Sequence, residues 1–144
     1  MNDLQQNKLT ESIKAFDAAV KIDNSRVEGY YGLGVAKSGF CFTEGKFCNE
    51  AIADLNKVVS INPKYKRAFY NLSVCKNKLG NFNGTLAALN KAIEWDPNDA
   101  DYYHNRGLTK IQLGDKTGAC EDFYKSVQLG SELSKKLIDI NCNK

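Results

Sequence analysis

Apolar residues return along this chain at helical spacing. In LTESIKAFDAAVKID, Leu9, Ile13, Phe16 and Val20 share one stripe, the period of a half-buried helix rather than the alternation of a strand. Further on, two stretches align without a gap at an offset of 34 residues: RAFYNLSVCKNKLGNFNGTLAALNKAIEWDPND from Arg67 and DYYHNRGLTKIQLGDKTGACEDFYKSVQLGSEL from Asp101. Phe69 matches Tyr103, Gly80 matches Gly114, Leu89 matches Phe123 and Ala92 matches Ser126. Each stretch holds two helical patterns joined at Leu-Gly-Asn or Leu-Gly-Asp, whose glycine can adopt the left-handed conformation that ends a helix. Only two prolines occur, so little interrupts the helices.

The unit resembles the tetratricopeptide repeat (TPR), a helix–turn–helix of 34 residues. That family has an aromatic at position 4, small residues at 8 and 20, an aromatic or Leu at 24, a small residue at 27 and Pro at 32. Counted from Lys66, the chain supplies Phe69, Ser73, Thr85, Leu89, Ala92 and Pro97. Counted from Ala100, it supplies Tyr103, Gly107, Ala119, Phe123 and Ser126, with Ser131 in place of Pro. The resemblance implies an all-α, right-handed α-solenoid. Small residues let paired helices approach, and larger ones fill the space between repeats.

An earlier repeat fits only with an insertion. Tyr30, Gly34, Ala51, Leu55, Val58 and Pro63 take the same positions, but Gly34 and Ala51 are 17 residues apart where the other repeats have 12. Four of the five extra residues precede Gly45, about one helical turn. A first helix lengthened by a turn, with one more residue in the loop, is predicted. Gly32 and Gly34 then serve helix packing or the concave face, since Gly-x-Gly without a preceding strand is no phosphate loop.

Towards the N-terminus, Ser12, Phe16 and Ala19 match a second helix, with Asn7 at the turn position. MNDLQQ is then expected to be the last turn of a missing first helix, as if the chain were cut inside a repeat. At the other end, SELSKKLIDINCNK predicts a capping helix with Ser131 as N-cap, Leu133, Leu137 and Ile140 turned inward, and Lys135 and Lys136 turned to water. The expected organisation is one domain over 1–144: a partial repeat 1–26, a repeat with a five-residue insertion 27–65, repeats 66–99 and 100–133, and a cap 131–144.

Composition narrows the function. The 144 residues are 42% hydrophobic and 26% charged, ordinary for a globular domain. The formal net charge of +3 is spread along the chain, not gathered into the basic face that nucleic acid requires. No run approaches a membrane helix, and the start carries no export signal pattern. The cytoplasm is favoured, with an exported or periplasmic setting open if the chain is a fragment. The five cysteines (41, 48, 75, 120 and 142) form no Cys-x-x-Cys, and His104 is the only histidine, so no metal site or cofactor is expected. The thiols are expected to be mostly reduced and packed, Cys41 and Cys48 being the exception if any pair is bridged.

No catalytic motif is present, and any Ser-His or Cys-His catalyst would have to use His104. Glu121-Asp122 and the pair Asp96 and Asp99 are read as solvated faces or caps. The chain is expected not to be an enzyme.

In TPR domains, positions 2, 5, 6, 9, 12 and 13 of each first helix tend to line the concave surface. Here the resemblance places Tyr31, Tyr70 and His104 at position 5, and Asn71 and Asn105 at position 6. Val35, Val74 and Leu108 fall at position 9, with Arg67 and Lys78 flanking the row. The candidate peptide-binding groove is thus Tyr31, Arg67, Tyr70, Asn71, Lys78, His104 and Asn105. Either these residues bind a peptide, or the tyrosines merely pack at the groove edge and His104 is solvated. The lysine–asparagine clamp by which some TPR domains hold acidic chaperone tails is matched at one place of five, Asn71. Position 11 is lysine in every full repeat (Lys37, Lys76 and Lys110): either a stem laid over apolar surface or a row of charge for an acidic partner.

The expected function is a protein–protein interaction scaffold that holds an extended peptide or partner helix in its groove. The alternatives are a spacer or oligomerisation segment with no groove ligand, and nucleic-acid binding by a helical repeat, which the balanced charge disfavours. A weak homodimer through the N-terminal edge is also expected.

Overall fold

The computed structural model describes residues 2–143, which form eight α-helices and no strand. α1 (Asp3–Ile22) leads into three helical hairpins: α2 (Val27–Glu44) with α3 (Cys48–Ile61), α4 (Lys66–Lys78) with α5 (Phe82–Trp95), and α6 (Ala100–Gln112) with α7 (Lys116–Gln128). α8 (Leu133–Asn141) closes the stack. Each helix packs on the next, and α2 also packs on α4. The arrangement is the expected right-handed α-solenoid.

The turns follow the sequence signals. Gly80 (φ 74°) and Gly114 (φ 82°) take the left-handed conformation after α4 and α6. Asn81 and Asp115 then cap the next helix, accepting bonds from the Gly84 and Gly118 amides. Between hairpins the packing is apolar: Leu55, Val58, Ala68, Leu72 and Ala88 form one buried cluster, and Ala119, Phe123 and Ile138 another.

The insertion lengthens a helix, as its register predicts. α2 runs 18 residues where α4 and α6 run 13, so all five added residues lie in the helix, and the turn at 45–47 is no longer than that at 79–81, against the extra loop residue expected. Gly45 ends it in the left-handed conformation, and Lys46 and Phe47 complete the turn. Phe47 (φ 60°) is the one non-glycine residue with positive φ among the described residues, a geometry that costs about 1–2 kcal/mol. Its ring meets Phe40 edge-on at 5.7 Å.

The longer α2 accounts for a departure at the N-terminus. No turn forms at Asn7. α1 is continuous from Asp3, and the Asn2 side chain caps it by accepting from the Gln5 amide at 2.9 Å. Without a glycine there, nothing breaks the helix, and the extended α2 gives its first turns a surface. Leu9 lies over Gly39, Phe16 over Gly32 and Val20 over Gly29, while Gln6 Nε2 donates to Glu44 Oε1 at 2.5 Å.

Three further expectations are corrected. The thiols are not mostly reduced: Cys41–Cys48 and Cys120–Cys142 are disulfides, and only Cys75 is free. The inserted turn brings Cys41 beside the first residue of α3, and α8 folds back along α7 to set Cys142 by Cys120. α8 is also rotated from its expected register. It buries Ser134 and Ile138, with Leu137 half-buried, and leaves Leu133 and Ile140 exposed, while Glu132 rather than Ser131 holds the N-cap position. Finally, Asp122 is no solvated surface residue. It is buried, held by Arg106 through two bonds of 2.6 and 2.9 Å and by Lys110 at 2.8 Å.

Candidate functional site: the concave groove

The first helices α2, α4 and α6 line the concave side, and three cavities lie along it between α1 and α6. At the N-terminal end, a space of about 460 Å³ is bounded by Leu9, Phe16, Tyr31, Val35 and Tyr65. Next lies one of about 340 Å³ between Tyr31, Arg67, Tyr70, Asn71, Asp99 and Asp101. A third, of about 480 Å³, is lined by Phe42, Tyr70, Val74, Lys78, Asn105 and Leu108 among others. Six of the seven candidate residues border these spaces: Tyr31, Arg67, Tyr70, Asn71, Lys78 and Asn105.

The seventh does not. His104 Nδ1 lies 2.8 Å from Ser134 Oγ, and its ring approaches Phe123 at 6.3 Å. α8 packs on α7, and its Ser134 reaches across to α6, so position 5 of the last repeat meets the cap. Burial lowers the imidazole pKa, partly opposed by Asp101.

The tyrosines are both packed and available. Tyr31 lies against Tyr65 at 4.7 Å and Tyr70 against Tyr102 at 5.4 Å, so each ring is braced between repeats while one side faces the groove. Burial raises the phenol pKa of Tyr31 and Tyr70 and pushes that of Tyr102 up to about 12, so all three hydroxyls remain proton donors near neutrality. Asn71 Nδ2 donates to the Arg67 carbonyl at 3.0 Å, and Asn105 Nδ2 to the Asp101 carbonyl at 2.7 Å. Neither amide oxygen receives a hydrogen bond among the described residues. Two amide oxygens one repeat apart are therefore without a partner among the described residues, on side chains that line two of these cavities.

The position-11 lysines do not form an open row of charge. Lys37 pairs with Asp54 at 2.6 Å and Lys110 with Asp122 at 2.8 Å, each across its own hairpin. At the equivalent place the middle hairpin carries Ala88, and no carboxylate pairs with Lys76 among the described residues.

Sequence reasoning passed over Phe42. It belongs to the extra turn of α2, is 66% exposed, and lines the cavity between α4 and α6 with Val74 and Leu108. The only signal for it was an aromatic in an insertion, which has no position in the repeat from which to infer its direction.

Stacked helical hairpins with a lined concave face define a protein-interaction scaffold. The chain belongs to the tetratricopeptide repeat family: a profile described as TPR repeat matches residues 3–38 and 76–114, and one described as Tetratricopeptide repeat matches residues 100–129. Solved structures with this fold include a MamA RS-1 double mutant (TM-score 0.77, 23% identity, 85% of this chain and 66% of that one). A crystal structure of MamA gives 0.75 at 24% identity, covering 90% of this chain and 76% of the other. MamA 41-end from Desulfovibrio magneticus RS-1 gives 0.76 at 23%, covering 85% and 67%. The chain spans about two thirds of the length of the first and last of these. No curated protein sequence matches it. No helix among the described residues is long and apolar enough to cross a membrane.

Proposed function

We propose that the concave face binds an extended segment of a partner protein. The observation that carries this reading is the run of cavities of about 460, 340 and 480 Å³ along the first helices, sizes suited to side chains of a bound ligand. Tyr31 and Tyr70 offer braced rings, the aromatic anchors that concentrate binding energy. Asn71 and Asn105 offer amide oxygens to the backbone N–H groups of an extended strand. Arg67 and Lys78 supply the cations. The double change Tyr70→Ala/Asn71→Ala is expected to weaken binding by roughly 2–4 kcal/mol, while Phe69 and Leu72 keep the packing. The experiment is a pull-down from source lysate with wild type and double mutant, followed by titration of the captured partner. Equal capture by both moves binding off the concave face, and the spacer reading then leads.

A second reading rests on α1. It buries no residue completely, and Leu4 and Ile22 are 64% and 88% exposed. A weak homodimer through this edge covers that apolar surface; sedimentation showing a strict monomer at high concentration rules it out. The two disulfides support an oxidising compartment as the place of work, a revision of the cytoplasmic expectation.

A further inference from the structure

The groove differs along its length, and the insertion makes the difference. The cavity between α4 and α6 takes one wall, Phe42, from the added turn of α2. That ring is 66% exposed, so it spends little of its apolar surface on the core. Opposite stand Val74 and Leu108, the latter 38% exposed. Among the described residues the lining holds one cation, Lys78, and no acid. Lys78 ends α4, its stem passes Gly45 at the α2 turn, and no carboxylate pairs with it among the described residues. The neighbouring cavity has the opposite balance, with Asp99 and Asp101 beside Arg67. Next to Phe42, Cys41 is fully buried and bonded to Cys48, so the wall is anchored to the start of α3.

We propose that the added turn of α2 turns this cavity into a specificity pocket for a partner segment that presents an apolar side chain with a carboxylate beside it. Phe42, Val74 and Leu108 enclose the apolar side chain. The Lys78 ammonium meets the carboxylate, a charge-assisted contact that the rest of the lining cannot replace. A repeat of ordinary length would end before Phe42 and leave this side of the groove open. The proposal rests on the groove reading above and specifies the chemistry of its ligand.

The test is a display library of random linear peptides selected on the oxidised chain. Enriched peptides are then titrated against wild type, Phe42→Ala, Lys78→Glu and Tyr70→Ala/Asn71→Ala. Phe42 and Lys78 are exposed, and circular dichroism checks that their variants fold. The enriched peptides are expected to pair Leu, Ile, Met or Phe with a nearby Asp or Glu. Phe42→Ala is expected to weaken them about tenfold or more, and selection on Lys78→Glu to replace the acid with Lys or Arg. Peptides that lose affinity for the Tyr70/Asn71 variant but bind Phe42→Ala and Lys78→Glu as well as wild type keep the groove and overturn the pocket. Peptides that bind every variant equally, or a library with no enrichment, overturn both.

Discussion

Gly107 of α6 faces Phe123 of α7 so closely that a Cβ at residue 107 would stand 2.5 Å from the ring and 3.1 Å from the Ala119 carbonyl oxygen. Phe123 is completely buried and has nowhere to swing. Gly107→Ala is therefore expected to destabilise the fold: overpacking costs about 1–3 kcal/mol, against the ~1 kcal/mol that Ala gains over Gly in a helix. The second repeat carries Ser73 and Leu89 at the same positions. Gly107→Ser with Phe123→Leu restores that pairing and is expected to cost less than the sum of the two single changes. Urea unfolding of the four proteins completes the cycle, and strict additivity would refute the steric account.

Asp122 holds two cations at once, Arg106 and Lys110, and its side chain is 4% exposed. Removing it leaves both charges in a partly dry site. Asp122→Ala is expected to cost about 3–5 kcal/mol. Asp54→Ala, which strands only Lys37, is expected to cost less. Chemical denaturation of the two variants under the same conditions makes the comparison, and an Asp54 loss as large as that of Asp122 would sink it.

These residues mark how far the sequence could be read. Repeat length, turn glycines and the lengthened α2 were legible because each follows from spacing along one hairpin. Asp122 was misread because its partners lie a helix away, 16 and 12 residues earlier in sequence, and a charge pattern alone does not say which face turns inward. The Cys120–Cys142 bridge depends on the path of α8, which no repeat position fixes. His104 sits at a groove position by count, but the cap covers it. Six candidate groove residues border the cavities because position within the repeat sets direction. Phe42 has no such position, and its direction is set by the path of the lengthened α2.

The disulfide assignment has a direct check. Alkylation in denaturant without reductant is expected to label a single cysteine, Cys75, and none in the native protein, since that thiol is buried and burial pushes its pKa up to about 11. Cys120→Ser with Cys142→Ser is expected to lower stability by about 2–4 kcal/mol. Mass spectrometry that finds three or more labelled cysteines in denaturant would refute the pairing.

His104 should make the docking of α8 sensitive to acid. Ser126 donates to the Ala100 carbonyl at 2.8 Å and Ser134 donates to Ser126 at 2.9 Å, so the Ser134 oxygen is left to accept from His104 Nδ1 at 2.8 Å. The neutral Nδ1–H tautomer satisfies that chain. Burial disfavours the imidazolium and lowers the pKa in the folded state, with Asp101 opposing only in part. The unfolded chain therefore binds more protons than the folded one just below the ordinary histidine value of about 6.5. Stability is fully present above that value and falls as acid is added towards the lowered folded pKa. Asn places its amide nitrogen near where Nδ1 stands and does not titrate, so His104→Asn keeps the donor and removes the linkage. Hydrogen exchange of the α8 amides between about pH 7.5 and 5, corrected for intrinsic rates, is the measurement. Protection in wild type is expected to drop more steeply than in His104→Asn. Parallel curves for the two proteins would mean that the imidazole does not govern the latch.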